Sequence, residues 1–396
     1  MADLRVNFLG IEFKNPVLAA SAEPTSSVEN LKKVIESGVG GLVLKTITDS
    51  EAMRSLSSQT RWRFLDEEHR VCRGEIPRLF TLYGRTGLQE KGPREWMREI
   101  KELQPLARDE DCVMIGSIAS TGIDGWVKLA QICEEAGLRI IELNFGCPHP
   151  SQMEGMKTGM LVGQDKDLAA EVVGAVTESV AVPVMVKLTP QVADVAEMAR
   201  VVVEAGAAGV TLTNRFVGFL VDVDTGKPLL YGTAGVGGPW VKPLTLRWIY
   251  QVYRDLGIPI SGSNGVYDAR DVLEFMMTGA TVVQMCSAVM AHGYKWFTKT
   301  IRDLEEMLDR RGYHSVREII GIAARNALSY EEMSRIPKEK AVIIKDLCVD
   351  CGRCVESCFY GAMRYEDGEI TIKEGNCKGC GICVCVCPKG AITLVQ

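Results

Sequence analysis

Ile140-Ile-Glu-Leu-Asn144 and Val182-Pro-Val-Met-Val-Lys187 are short apolar runs, each ending on a polar residue, with an amphipathic stretch from Leu168 to Val180 between them. Such runs are too short for buried helices and too continuously apolar for strands with one wet face. They read as strands buried on both sides, as in a parallel sheet. Six more runs share the pattern: Val17-Leu-Ala-Ala-Ser21, Gly41-Leu-Val-Leu-Lys-Thr46, Val113-Met-Ile-Gly-Ser-Ile118, Gly209-Val-Thr-Leu-Thr-Asn214, Ile258-Pro-Ile-Ser-Gly262 and Val282-Val-Gln-Met-Cys286. Helical patterns at 126–136, 192–205 and 268–277 fall between them, and glycine turns cap several. Eight βα units in about 300 residues predict an α/β fold, a (β/α)8 TIM barrel. The rival doubly wound sheet carries Gly-x-Gly-x-x-Gly after its first strand. Here Glu23-Pro-Thr-Ser-Ser stands at that place, and Gly235-Val-Gly-Gly-Pro-Trp240 fails the spacing.

Polar residues close almost every strand: Ser21, Lys45, Thr46, Asn144, Lys187, Thr213, Asn214, Asn264 and Ser287. Barrel chemistry sits at the C-terminal ends of strands, so a shared ligand accounts for this better than packing does. The 45 basic and 51 acidic residues give a net charge of −6, which argues against a nucleic-acid partner. No apolar run is long enough for a membrane span. The opening Met-Ala-Asp-Leu-Arg lacks a signal-peptide core, so the expected location is the reducing cytoplasm.

Of the 14 cysteines, nine follow Asp346, and in a chain of this kind such density points to metal rather than disulfides. The tail reads Cys348-x-x-Cys351-x-x-Cys354-x-x-x-Cys358, then Cys377-x-x-Cys380-x-x-Cys383-x-x-x-Cys387-Pro388. This is the bacterial ferredoxin spacing written twice, in which the fourth cysteine of each run crosses to the other cluster. One 4Fe–4S cluster is thus expected on Cys348, Cys351, Cys354 and Cys387, the other on Cys377, Cys380, Cys383 and Cys358. Zinc is the rival ligand, and the doubled four-cysteine rhythm favours clusters. Cys385 falls between ligands and reads as a spare buried thiol. The expected organisation is a barrel over 1–310, a helical linker over 311–340 and an α+β ferredoxin-like domain over 341–396. Clusters carry electrons and do no organic chemistry, so the barrel must supply the redox reaction.

Glu142-Leu-Asn-Phe-Gly-Cys147-Pro-His149 follows the fourth strand. A cysteine beside a proline at a strand end is either an inert buried thiol or a tuned acid–base group.

With Asn15-Pro-Val-Leu-Ala-Ala-Ser21, Leu44-Lys-Thr46, Gly163-Gln-Asp165, Val186-Lys-Leu-Thr-Pro190, Thr213-Asn214, Gly237-Gly238 and Val283-Gln-Met-Cys-Ser-Ala288, that cysteine motif makes the barrel resemble the dihydroorotate dehydrogenases with a catalytic cysteine. With its tail the chain looks most like the dihydropyrimidine dehydrogenases, as their C-terminal half or as the iron–sulfur subunit of the bacterial two-subunit form. The resemblance implies FMN at the barrel mouth. Ala20 and Ser21 would touch its ring, with Thr46 and Thr213 lining the same pocket. Lys45 and Lys187 would lie near the N1–C2=O edge. Gly238, Asn264, Gly265, Cys286 and Ser287 would cradle the phosphate. It further implies hydride transfer between FMN N5 and pyrimidine C6, with the proton at C5 handled by Cys147 and with Asn144 and Asn214 binding the uracil or thymine ring.

Three places depart from the family pattern. Leu82 and Gly84 stand where the dihydropyrimidine branch has Asn and Glu. Gly84-Arg-Thr-Gly-Leu-Gln-Glu90 replaces the Asn-x-x-Gly-Leu-x-Asn of the orotate branch. Arg215 replaces a Thr or Ser, and it either meets an anionic substrate or forms an outward salt bridge. The alternatives are therefore a related FMN/iron–sulfur reductase of another activated C=C substrate, such as a carboxylate, a dihydroorotate dehydrogenase, or a non-catalytic electron-transfer subunit. The resemblance also implies a separate FAD- and NAD(P)-binding flavoprotein subunit with its own clusters, joined to a homodimer of barrels in a heterotetramer.

The expected content of anaerobically purified protein is about eight irons and one FMN per chain. Iron, sulfide and flavin analysis checks this, and stoichiometric zinc in place of iron would refute it.

Overall fold

The structure is a computed structural model that describes residues 1–147 and 157–396; Pro148 and His149 of the cysteine motif lie outside the described residues. The chain forms two compact units, Met1–Asn326 and Ala327–Gln396. Among the described residues no helix is long and apolar enough to cross a membrane.

The first unit is a closed barrel of eight parallel strands that pair in chain order. They are β1 Val17–Ala19, β2 Gly41–Val43, β3 Val113–Ile118, β4 Ile140–Phe145, β5 Val184–Leu188, β6 Gly209–Leu212, β7 Ile260–Ser263 and β8 Val282–Met285. Met285 pairs with Ala19 and closes the ring. Every one of the eight predicted runs supplies a strand, and every residue of these strands is buried, which is why the runs lack polar alternation. Helices at Ile123–Glu135, Lys166–Ser179, Val195–Glu204 and Ala269–Thr278 cover the outside. Asp165, Asp194 and Asp268 start the last three, each side chain accepting from a free backbone N–H of the first turn. Trp126 packs edge-on against Phe145 at 5.4 Å and fixes the first of these helices to β4.

An antiparallel sheet, unread in the sequence, is built from the loops after β2 and β6. Its strands lie in the order Phe216–Gly218, Ala234–Gly237, Thr81–Arg85, Arg61–Leu65. Leu65, Tyr83, Leu230 and Ala234 give it a small core of its own.

The stretch expected as a linker divides at Asn326. Val316 and Ile319 are buried in the barrel unit's core, next to the helix Lys295–Asp309 and its buried Leu304 and Leu308. Residues 327–340, including the short helix Tyr330–Ser334, go with the second unit.

That second unit has two antiparallel strand pairs, Lys340–Ile343 with Ile392–Val395 and Met363–Glu366 with Glu369–Ile372. Two short helices, Arg353–Glu356 and Ile382–Val386, follow the second cysteine of each run. Gly352 and Gly381 precede these helices with the same φ of 77°, so the tandem repeat in sequence is a repeat in backbone.

Candidate functional site

The C-terminal ends of the strands meet in one cavity of about 930 Å³ that opens to solvent. The barrel residues expected to bind cofactor or substrate or to act on it line it: Ala20, Ser21, Lys45, Thr46, Asn144, Cys147, Lys187, Thr213, Asn214, Arg215, Gly238, Asn264, Gly265, Cys286 and Ser287; Leu82 lines it too, and Gly84 is not among its lining residues. Parallel strands of a closed barrel end at one level, so residues far apart in the chain reach one space.

A chain of hydrogen bonds holds the polar wall. Asn264 Nδ2 donates to the Asn214 carbonyl at 3.0 Å, and Asn214 Nδ2 donates to Asn144 Oδ1 at 3.1 Å. Asn144 Nδ2 donates to Thr46 Oγ1 at 3.0 Å, and that hydroxyl also bonds Ser117 at 2.8 Å and Ser21 at 3.1 Å. Each asparagine amide thereby keeps one N–H for a ligand. Both lysines are answered. Lys45 Nζ lies 3.1 Å from Glu23 Oε1 and donates to Thr86 at 3.0 Å. Lys187 Nζ donates to Gln284 Oε1 at 3.1 Å and lies 4.0 Å from the fully buried Glu142.

Sequence reasoning missed several of the wall residues. Glu23 stood in a stretch quoted only for lacking a glycine fingerprint, and an acid two residues beyond Ser21 was the available signal. Gln284 passed as a family motif position, and Thr86 as part of a segment that departs from the family pattern. Trp62, which also lines the cavity, carries no sequence signal, because the sheet that holds it was not read.

Cys147 is buried, and its carbonyl accepts from Met160 N at 3.0 Å. Burial, with the Glu23 charge, pushes the Cys286 thiol up to about 11, so it stays protonated. Arg215 faces inward. Its guanidinium lies over the Trp62 ring at 4.7 Å and makes no ion pair among the described residues, which removes the outward salt bridge.

On one side the wall is bare backbone. Gly238 has φ 132° and Gly265 φ 111°, and added Cβ atoms would stand 2.3 Å from the Phe80 carbonyl oxygen and 2.7 Å from Lys242 Cα. Thr213 Oγ1 and Glu23 Oε2 are buried without a hydrogen-bond partner among the described residues. A glycine cradle, paired cations and unspent donors fit a flavin phosphate and a polar ring.

In the second unit the cysteines surround two small cavities. One is lined by Cys348, Cys351, Cys354 and Cys387, the other by Cys358, Cys377, Cys380 and Cys383. Each is thus ringed by three cysteines of one run and the fourth of the other. Among the described residues no three His, Cys, Asp or Glu side chains converge on a single ion position. Four thiols at the doubled ferredoxin spacing, drawn from both runs, suit a cubane better than one zinc. Backbone N–H groups already point at sulfur: Ala362 N at 3.2 Å from Cys358 Sγ and Ala391 N at 3.2 Å from Cys387 Sγ. Cys385, expected to be buried, is exposed and lines neither cavity, because it falls on the outer side of its short helix.

The dihydroorotate dehydrogenase family model matches residues 3–308, and the 4Fe-4S dicluster domain model matches residues 347–391. The NAD-dependent dihydropyrimidine dehydrogenase subunit PreA of Escherichia coli (strain K12) is 31% identical over 410 residues, covering 99% of this chain and 95% of its own. The catalytic subunits of dihydroorotate dehydrogenase B (NAD(+)) from Methanothermobacter thermautotrophicus and Geobacillus kaustophilus are each 34% identical, covering 81% of this chain and 98% and 96% of theirs.

Glu23 gives the cavity a pH dependence of known sign. Burial raises its pKa, but the Lys45 ammonium and the Thr86 hydroxyl outweigh burial and hold it below the ordinary 4.5. A carboxylate with a lowered folded pKa adds stability that is complete above its unfolded pKa and is lost as pH falls through the folded value. Glu23→Gln should flatten the fall in stability below about pH 4.5. Urea unfolding read by tryptophan fluorescence checks this; all six tryptophans lie in the barrel unit. Parallel acid limbs in wild type and variant would refute it.

Proposed function

We propose, from the premise that this chain belongs to the dihydroorotate dehydrogenase family, that its barrel binds FMN and interconverts a uracil- or thymine-type pyrimidine and its 5,6-dihydro form. The chain is an oxidoreductase of the dihydropyrimidine and dihydroorotate dehydrogenase family, and it carries a 4Fe–4S dicluster domain. The observation that carries the finer reading is the convergence of buried Cys147, the Asn144–Asn214 pair and two paired lysines on a single cavity. The dihydropyrimidine dehydrogenase subunit aligns over nearly the whole chain, which favours that chemistry over the dihydroorotate reaction. Leu82 and Arg215 in the wall favour a second reading, an oxidoreductase of a different activated C=C.

Bound FMN would supply the hydride donor and acceptor. Gly238, Asn264, Gly265, Cys286 and Ser287 would hold its phosphate, and Ala20, Ser21, Thr46 and Thr213 its ring. Lys45 and Lys187 would set a positive field there, steadied by Glu23 and Gln284. The remaining amide N–H groups of Asn144 and Asn214 would bind substrate carbonyls and fix the ring. Cys147 would give its proton to C5 in the reducing direction and take it back as thiolate in the oxidising one. Losing a positioned acid–base group costs on the order of 10²–10⁴ in rate. Cys147→Ala should therefore keep FMN and clusters but turn over that much more slowly, with Cys147→Ser milder at high pH. Unchanged turnover in the alanine variant would make Cys147 an inert thiol.

In the tail, Cys348, Cys351, Cys354 and Cys387 would ligate one cluster and Cys358, Cys377, Cys380 and Cys383 the other. Thiolate-held clusters suit the reducing cytoplasm. The chain has no dinucleotide fingerprint, so electrons to or from NAD(P) need a second flavin site. A separate FAD- and NAD(P)-binding subunit with its own clusters, joined to a homodimer of barrels, would supply it. Purified alone, the chain should reduce one-electron dyes and show negligible activity with NADH or NADPH; vigorous NAD(P)H-dependent turnover would contradict the need for a partner.

A further inference from the structure

We infer that Tyr267 is a positioning residue for the flavin phosphate, a latch behind the cavity wall that locks the arms of the phosphate cradle together through its bond to His292. The inference rests on the reading that Gly238, Gly265 and Ser287 hold the FMN phosphate, and it adds what holds them. Neither Tyr267 nor His292 is among the residues that line the cavity.

The arms of the cradle come from separate parts of the chain. Asn264 and Gly265 follow β7, Cys286 and Ser287 follow β8, and Gly238 follows the strand Ala234–Gly237 of the added sheet. Hydrogen bonds from backbone N–H groups weaken steeply with angle and distance, so an anion held this way needs arms at a fixed spacing. Glycine lets the backbone come close, but it has no side chain with which to brace one arm against another. The bracing must come from behind.

Tyr267, two residues beyond Gly265, supplies it. The residue is buried, and each of its polar groups has a partner. Its backbone N–H donates to Asp271 Oδ2 at 2.8 Å, and its carbonyl accepts from Trp296 Nε1 at 2.6 Å. Its hydroxyl is hydrogen-bonded to His292 Nε2 at 2.9 Å. His292 is the last residue of the helix Ser287–His292, so this bond ties the Gly265 arm to the Ser287 arm. The imidazole is itself steadied by stacking on Trp296, with ring centroids 4.2 Å apart. The third arm is reached through Phe80. Its ring centroid lies 6.3 Å from that of Tyr267, and its carbonyl oxygen is the atom that a Cβ on Gly238 would meet, at 2.3 Å. Asp271 adds a second route. Its Oδ1 accepts from Lys242 Nζ at 2.7 Å, and Lys242 Cα is the atom nearest to a Cβ on Gly265, 2.7 Å away. Of all these ties, the bond to His292 can be cut by removing a single oxygen, with the Tyr267 ring left in place.

The test uses the difference between FMN and riboflavin, which lacks only the phosphate. The cluster-bearing full chain is stripped of flavin and titrated with each, and flavin fluorescence gives the two affinities. Wild type should prefer FMN. Tyr267→Phe should lower that preference roughly 2- to 10-fold, the range for one neutral hydrogen bond, and leave the riboflavin affinity unchanged. His292→Phe, which keeps a ring on Trp296, should act in the same direction. The double variant should be no worse than the worse single one, since both changes cut the same bond. A preference for FMN that survives Tyr267→Phe would overturn the latch. So would additive losses in the double variant, and so would an equal loss of FMN and riboflavin, the mark of general loosening. A wild type that binds both flavins equally, or neither, brings down the reading of the cradle together with the latch; a wild type that prefers FMN and passes that preference unchanged to the variants brings down the latch alone.

Discussion

Glu142 is fully buried inside the barrel, where its Oε2 accepts from Thr211 Oγ1 at 2.7 Å and from Gln284 Nε2 at 3.0 Å. The same Gln284 amide reaches Ser261 at 3.1 Å and accepts from Lys187. These residues come from β4, β5, β6, β7 and β8, so one polar cluster ties five successive strands together. Removing a member would leave a buried charge or amide unanswered, a loss of about 3–5 kcal/mol where a charge is stranded. The cluster sets register as well as stability. With these side chains level, the residues just beyond them, Asn144, Thr213, Ser263 and Cys286, emerge together at the floor of the cavity.

The barrel was legible because its strands are buried on both faces and so leave unbroken apolar runs, each marked by a polar residue at its end. The dicluster domain was legible for a simpler reason: cysteines at three-residue steps keep their spacing whatever the fold around them. What escaped was the added sheet. Its strand Arg61–Leu65 alternates exposed Arg61 and Arg63 with half-buried Trp62 and Phe64, too short a pattern to stand out, and the pairing of Gly84 with Gly235 spans some 150 residues. Trp62 and the orientation of Arg215 depend on that sheet, so neither could be read from the chain. Cys385 shows a different limit. Its spacing marked it as no ligand, but which side of a one-turn helix it occupied was not encoded in the spacing.

The division of labour within the barrel follows from these placements. Residues on the barrel strands and at their ends form the part of the cavity that suits a flavin, and they sit on a rigid, cross-braced frame. Residues from the added sheet, Trp62, Leu82 and Arg215 among them, line the same cavity from elements that the barrel does not need for closure. A chain can change what the sheet presents while keeping what the barrel holds, and this is where the present sequence leaves the family pattern.

The exchanged fourth cysteines have a consequence for how the small unit comes to exist. Cys387 lies with the first run and Cys358 with the second, so each half of the repeat is completed by the other. The buried apolar cluster here is small, Ala341, Cys354, Met363, Ile370 and Ile392, with Ala362 and Ala391 also buried, little for a free-standing fold. A cluster held by the four cysteines around either cavity would therefore draw on both halves, because the fourth thiol comes from the other run. Metal-coupled folding would then make the unit a clasp, which closes at both ends or at neither.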